Sequence, residues 1–317
     1  MTQPEVQIVE VLLRDGLQTM VHEQDWHVPT TEEKLSLIDE ISATGIPEVE
    51  VTGFVHPKVI PMLADADEVV RSLPAHEDVT YRALVPNLRG AERAVAAGCE
   101  KVSCLIVASE TYSRKNSNMS VDDNVEQIRQ ITELCQPTGT TVAVGMGICF
   151  LCPYEGPIQE SSILELIDTF NGFGVDEISI ADSIGMANPR LVGSRVAAIT
   201  KRWPELKLGV HLHERTGMAL ANVVAAYENG ATMFESCIGG YGGGIAMPVS
   251  VLGMGNVPTE DVVHMFNEMG VKTNVDLSAV RAVSKRVAEV IGVPSRAKVA
   301  EYGTFDDFHA MAKQYAV

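Results

Sequence analysis

The chain has 317 residues, 46% apolar and 21% charged, with 24 Lys and Arg against 42 Asp and Glu for a formal charge of −18. This length buries a large core without disulfide staples, and the acidic balance excludes a protein built for nucleic-acid phosphates or an anionic membrane face. It leaves room for a local basic patch toward a phosphorylated ligand.

No apolar run approaches the roughly 20 residues of a membrane span. The amino-terminal MTQPEVQIVE has neither the basic nor the apolar region of a secretory signal. Six cysteines in a chain this long do not read as a disulfide framework. The expected compartment is the cytoplasm.

Apolar, β-branched runs recur at 6–13, 48–54, 79–85, 101–107, 141–149, 175–181, 207–213 and 231–238. Between them lie segments with helical i, i+3/i+4 apolar spacing, at 31–44, 87–97, 122–136, 161–173, 189–202, 217–229 and 260–269. Thr30 and Ser120 precede first-turn acids and read as N-caps. Gly45, Gly98, Gly174, Gly230 and Gly270 read as helix stops. Eight βα repeats with no composition shift predict a (β/α)8 TIM barrel over residues 1–270. Residues 271–317 read as a helical extension, with helices at 277–291 and 304–315 that cap the barrel or pack in a dimer or higher homo-oligomer.

Barrel chemistry sits at the C-terminal strand ends. After the first run comes Arg14-Asp15-Gly16-Leu17-Gln18, either a charged pair over the mouth or a plain Asp-Gly turn. The seventh run ends in His211-Leu212-His213, and strand alternation points both imidazoles the same way. Such a pair grips a divalent metal; the alternative is two hydrogen-bonded polar residues. A glycine-rich loop, Gly239 to Gly244, follows the eighth run and suits a lid or a close backbone approach. Asn256, beyond it, supplies a metal-ligating carbonyl or caps a helix. Glu50 and Asp182 also fall where a barrel keeps its working groups, or serve as structural hydrogen-bonding residues. Asp15, His211, His213 and Asn256 together offer mixed N/O ligation suited to Mg2+ or Mn2+, with Co2+ or Zn2+ as alternatives. Cys149 and Cys152 have CxxC spacing but no second pair, and read as local packing.

Further segments complete a pattern: Val51-Thr52-Gly53-Phe54-Val55-His56-Pro57-Lys58, Pro86-Asn87-Leu88-Arg89-Gly90, Arg114-Lys115-Asn116, Cys152-Pro153-Tyr154-Glu155-Gly156, Asp182-Ser183-Ile184-Gly185 and Thr259-Glu260-Asp261. In this order, with the strand-end residues, the chain resembles the 3-hydroxy-3-methylglutaryl-CoA lyase family of the DRE-TIM (HMGL-like) metallolyases over nearly its whole length. The resemblance implies a metal on Asp15, His211, His213 and Asn256, enolate stabilisation by Arg14, and an acid at Glu50. It further implies substrate contacts from Gln18, Arg14, Asp182, Lys115 and Asn116, the last two approaching coenzyme A. Two positions depart from the family. Gly244 stands where the lyases carry a catalytic loop cysteine, in a longer loop. Glu214-Arg215 replaces Asp-Thr, and Arg215 adds charge that suits an extra substrate carboxylate.

The implied reaction is retro-Claisen cleavage of a 3-hydroxy-3-methylglutaryl-CoA-like 3-hydroxyacyl-CoA to acetyl-CoA and a keto acid. A base (Asp15, Glu50 or hydroxide) takes the hydroxyl proton, while Arg14 faces the developing enolate. Without the cysteine, Tyr241, a water or Glu50 would return a proton to the enolate, a contribution of about 10²–10⁴-fold. The alternatives are a Claisen synthase joining acetyl-CoA to a 2-keto acid, a CoA-independent aldolase of hydroxy-keto acids, and a non-catalytic metal-binding barrel.

Overall fold

The structure, a computed structural model, describes residues 6–22, 26–243 and 255–315. The strands in chain order are β1 (Gln7–Glu10), β2 (Glu48–Gly53), β3 (Thr80–Val85), β4 (Lys101–Val107), β5 (Thr141–Gly147), β6 (Leu151–Cys152), β7 (Gly156–Pro157), β8 (Glu177–Asp182), β9 (Leu208–Leu212) and β10 (Met233–Ser236). β6 and β7 form a small antiparallel hairpin. The other eight are parallel and close into a barrel, the last strand returning to the first in the register Gln7↔Met233 through Glu10↔Ser236. The predicted TIM barrel is the observed fold. Its strands are buried on both faces, which is why their sequences read as near-continuous apolar runs.

The helices are α1 (Thr31–Ser42), α2 (Ala66–Arg71), α3 (Leu88–Ala97), α4 (Glu110–Ser117), α5 (Val121–Cys135), α6 (Glu160–Phe173), α7 (Pro189–Arg202), α8 (Ala219–Glu228), α9 (Thr259–Glu268), α10 (Leu277–Ile291), α11 (Lys298–Tyr302) and α12 (Phe305–Tyr315). Thr30 and Ser120 cap α1 and α5 in reciprocal boxes with Glu33 and Asp123. The short α2 and α4 are absent from the periodicity reading, because six to eight residues hold too few turns to show a stripe.

The first predicted run, 6–13, is half strand. β1 stops at Glu10, and Leu12–Gly16 form a single π-helical turn in which the amides of Arg14, Asp15 and Gly16 all reach the Val11 carbonyl. Such turns insert one extra residue and cluster at functional sites. Here the turn buries the adjacent Arg14 and Asp15 together at the barrel mouth.

Beyond α9 the chain clasps the loop after β10. α10 lays Val280, Val283, Val287 and Ile291 against α1 and α9. The Arg296 amide then donates to Gly239 O at 2.9 Å, and Asp261 accepts from the amides of Lys298 and Val299. α12 is exposed and shows Phe305, Phe308 and Met311 to solvent, beside Tyr302 of α11.

Two buried carboxyls hold the same loop from below. Glu10 accepts from the amides of Leu12 and Ile238 and from the Thr259 hydroxyl; Glu260 accepts from the Gly239 amide. Burial pushes Glu10 up to about 8 and Glu260 up to about 7. Both groups therefore hold protons more tightly folded than unfolded. Their contribution to stability is full below the ordinary carboxylate range and declines as pH rises through about 7 to 8. Thermal midpoints measured from pH 6 to 9 should fall with rising pH, and Glu10→Gln should flatten the slope. An unchanged slope in that variant would remove Glu10 as its source.

The barrel interior carries charge as well as apolar side chains. Arg82 of β3, 1% exposed, hydrogen-bonds Glu48 at 3.4 Å and lies 3.3 Å from Glu50, 3.5 Å from Glu177 and 2.9 Å from Glu235, these three contacts outside hydrogen-bond alignment. Lys101 of β4 reaches Glu48 at 2.8 Å and Glu177 at 2.7 Å. Lys207 adds a contact to Glu177 at 2.7 Å.

Candidate active site

The site forms where the two ends of the barrel sequence meet. The π turn supplies Arg14 and Asp15. β9 supplies His211, and His213 follows directly after it. Asn256 comes in on a short extended segment that pairs His213↔Asn256, with Val257 N donating to Leu212 O at 3.0 Å. Gly242 passes so close that a Cβ there would lie 2.6 Å from Asn256 Nδ2 and 2.9 Å from Asp15 Oδ2, and its φ is +100°. Only glycine fits both demands.

Asp15, His211 and His213 each offer a ligand atom, all within 4.8 Å of one another. The two imidazole Nε2 atoms lie 2.9 Å apart, and His213 Nε2 is 3.9 Å from Asp15 Oδ2. Asn256 Nδ2 donates to Asp15 Oδ2 at 2.7 Å and to Tyr241 O at 2.9 Å, which leaves its Oδ1 buried without a partner. Gln18 donates to Asp15 Oδ1 at 2.5 Å and to Gly243 O at 2.9 Å. Arg14 gives Nη1 to Asp15 Oδ1 at 2.6 Å and Nε to Glu50 Oε2 in a very short contact.

The electrostatics keep Asp15 ionised and His213 neutral, the forms that ligate a metal. Burial, reinforced by His211, pushes His213 down to about 3, so its ring stays neutral. Burial alone would raise Asp15, but Arg14, His211 and His213 outweigh it and hold the carboxylate below its usual range. His211 Nδ1 pairs with Glu235 at 2.9 Å; against the cost of burial, that bond and Asp15 lift its pKa above the usual value. A neutral imidazole, a carboxylate and an orphaned amide oxygen, with no thiolate nearby, suit a hard or borderline divalent cation. The charges agree: Asp15, Glu48, Glu50, Glu177 and Glu235 outnumber Arg14, Arg82, Lys101 and Lys207 in the connected network.

Glu235 was not legible as a site residue. It lines the cavity, fixes His211 from behind and is held well below the usual range, since Arg82 and His211 overcome its burial. Carboxylates in this position orient a ligating histidine. Glu235→Gln should weaken divalent-cation binding by about 10–100-fold. Calorimetric titration checks this, and an unchanged affinity would reduce Glu235 to a counter-ion for Arg82.

The cavity beside these groups has a volume of about 330 Å3, within the small-molecule range. Arg14, Asp15, Gln18, His211 and His213 line it on one side, and Asn116, Ser117 and Met119 at the α4 end. Five expected residues lie elsewhere. Tyr241 is buried, its hydroxyl donating to Val293 O at 2.7 Å and its ring meeting Trp26 edge-on, so its phenol faces away from the cavity and the proton-donor expectation is corrected. Glu50 is fully buried behind Arg14, bridging it to Arg82, and supports the arginine instead of touching the cavity. Asp182 accepts from the Ala187 amide at 2.8 Å and holds the turn after β8. Arg215 is exposed and outside the cavity lining, as is Lys115, whose ammonium sits 5.0 Å from the Tyr154 ring centre. Gly244, where the family cysteine would stand, lies outside the described residues. Cys149 and Cys152 are free and buried: the first donates to Met146 O, and the second packs 3.1 Å from Ser109 Oγ.

Comparison with known proteins matches the model of a family described as HMGL-like to residues 5–287. The hydroxymethylglutaryl-CoA lyase YngG of Bacillus subtilis is 38% identical over 289 residues, covering 91% of this chain and 94% of its own. The structure of an HMG-CoA lyase from Acinetobacter baumannii in complex with coenzyme A and 3-methylmalate superposes with a TM-score of 0.88 at 35% identity, covering 96% of each chain. Hydroxymethylglutaryl-CoA lyase from Pseudomonas aeruginosa gives 0.87 at 30% identity, over 99% of this chain and 100% of its own.

Proposed function

The chain belongs to the HMGL-like family, and on that premise we propose a divalent-cation-dependent carbon–carbon lyase that cleaves a 3-hydroxy-3-methylglutaryl-CoA-like 3-hydroxyacyl-CoA to acetyl-CoA and a keto acid. The observation that carries this reading is the Asp15–His211–His213 cluster with the orphaned Asn256 Oδ1, set beside Arg14 on one cavity.

Cleavage needs the hydroxyl proton removed, the electron pair of the breaking bond received by the thioester carbonyl, and the resulting enolate carbon protonated. A divalent cation on Asp15, His211, His213 and Asn256 would act as a Lewis acid toward the substrate's oxygens, Mg2+ or Mn2+ being the ions this donor set fits. Of the two carboxylates named for the hydroxyl proton, only Asp15 lines the cavity, so we assign the step to it. Arg14 is clamped through Nε and Nη1, which fixes its positive charge in place before any enolate forms. Asn116 marks the rim where a coenzyme A chain would pass.

We also read residues 1–270 as the catalytic barrel and 271–317 as its helical extension, supported by the packing of α10 on α1 and α9. The exposed row of Tyr302, Phe305, Phe308 and Met311 favours a homo-oligomer. Among the described residues no helix is long and apolar enough to cross a membrane, and all six cysteines are free, which favours the cytoplasm.

The test follows acetyl-CoA release from 3-hydroxy-3-methylglutaryl-CoA by protein loaded with Mg2+ or Mn2+, against chelated protein and Asp15→Asn. Release that both controls lose is expected. Release insensitive to chelation would overturn the metal assignment, and no release from any 3-hydroxyacyl-CoA would overturn the lyase reading.

A further inference from the structure

TIM-barrel interiors are normally filled by bulky branched side chains, layer upon layer. Here the Arg82–Lys101–carboxylate network takes part of that place, and one further sector carries only small side chains. On three neighbouring strands, β4, β5 and β8, the cavity wall is made by Ser103, Gly145 and Ser179. The residues two further along each strand, Leu105, Gly147 and Ala181, line the same cavity. The i, i+2 spacing puts both sets on the inward face, with the first set about 7 Å deeper than the second. The cavity therefore continues below the mouth, beneath the level at which Ala181 pairs with His211. Leu105 is 38% exposed although every other residue of β4 is buried, because its side chain borders that space.

Gly145 is the informative residue. Its φ is not in the left-handed region, and a Cβ built there would meet nothing closer than Ser179 Oγ at 3.7 Å. Neither backbone nor neighbours demand a glycine. Gly147 and Gly209 contrast with it: a Cβ would come within 3.0 Å of Val107 Cγ1 at the first and 2.3 Å of Met233 Cε at the second. A glycine inside a strand costs stability relative to a side-chain-bearing residue and marks places where a ligand comes close. At 145 the missing side chain benefits only the cavity.

We propose that this hollow receives a substituent larger than methyl on the hydroxyl-bearing carbon of the substrate, an aliphatic chain of several carbons, with Gly145 as the residue that sets its permitted size. The inference rests on the lyase reading above and narrows its substrate class to 3-hydroxy-3-alkylglutaryl-CoA thioesters. With the thioester leaving through the mouth and the hydroxyl directed at the Asp15 side, two substituents remain on that carbon, a carboxymethyl and an alkyl group, and the alkyl group is the one suited to an apolar wall inside the barrel. There Leu84 and Leu105 offer it apolar walls.

The test compares thioester release from the methyl, propyl and pentyl members of this series by wild type, Gly145→Ala and Gly145→Val, with equilibrium binding of each thioester measured alongside. Wild type should show the higher kcat/KM on propyl than on methyl. Gly145→Val should lower the propyl-to-methyl ratio by at least tenfold, since one methylene in an apolar pocket discriminates by roughly 10–200-fold. Gly145→Ala should lie between and melt no lower than wild type, which guards against a folding defect. A wild-type preference for methyl, or a ratio that Gly145→Val leaves unchanged, overturns the proposal while leaving the lyase reading intact. If no thioester is cleaved, the lyase reading falls, and the binding constants still decide the hollow: tighter propyl than methyl binding, lost in Gly145→Val, supports it, and equal binding overturns it.

Discussion

Replacing Arg14 with glutamine should lower kcat for thioester cleavage by about 10²–10³-fold, the scale of losing one fixed donor to developing negative charge, without weakening divalent-cation binding. The two effects separate because Arg14 is a cation beside the ligand cluster. Its Nη1 lies 2.6 Å from Asp15 Oδ1 and draws charge from the carboxylate that would hold the metal. Removing it relieves competition for Asp15, so affinity should hold or rise. Glu50 would lose one partner but keep Arg82 at 3.3 Å, and the fold should survive. Steady-state kinetics and calorimetric metal titration on the same preparation check both halves. An unchanged kcat would make Arg14 a structural clamp for Glu50, and a collapse of metal affinity would make it part of the ligand scaffold.

The second large effect is on stability. Arg82→Met should destabilise the protein by about 3–5 kcal/mol, the cost of stripping the partner from a buried charge, and should yield little folded material at 37 °C. Four carboxylates converge on this guanidinium, and Glu48 and Glu177 would keep Lys101, whereas Glu50 and Glu235 would lose a main counter-charge. Arg82→Lys should recover part of the loss, because one ammonium cannot span the same set. Denaturant midpoints of the three proteins order the outcome, and a methionine variant as stable as wild type would mean the carboxylates simply take up protons. The damage should also reach the site, since Glu235 orients His211 and Glu50 holds Arg14.

The grouping of Asp15, His211 and His213 was legible in the sequence. Strand alternation pairs His211 with His213, and the barrel rule puts Arg14 and Asp15 at a strand end. The buried network carries a sequence signal of its own. Arg82, Lys101, Glu177 and Glu235 each interrupt an apolar strand, and a charge in a strand buried on both faces has to find an opposite one. Tyr241, Asp182 and Arg215 show the opposite failure. Tyr241 and Arg215 lie on loops, where position says nothing about direction, and Asp182 ends β8 but turns to the Ala187 amide, so none of the three lines the cavity. Gly145 could not be singled out from sequence, because a glycine that avoids a clash and one that leaves a space look the same until the neighbours are placed.

The ligand cluster also bears on how the molecule closes. Asp15 lies just past the first strand; His211, His213 and Asn256 arrive only with the seventh strand and after the eighth, and the Asn256–Asp15 bond joins residues 241 positions apart. These side chains sit across the seam where β10 meets β1, so they cannot assemble until that last pairing forms. A cation bound there would act as a latch on the seam. Chelation should then loosen β1 and β10 ahead of the strands between them, and amide exchange along the barrel would show the opening start at the join.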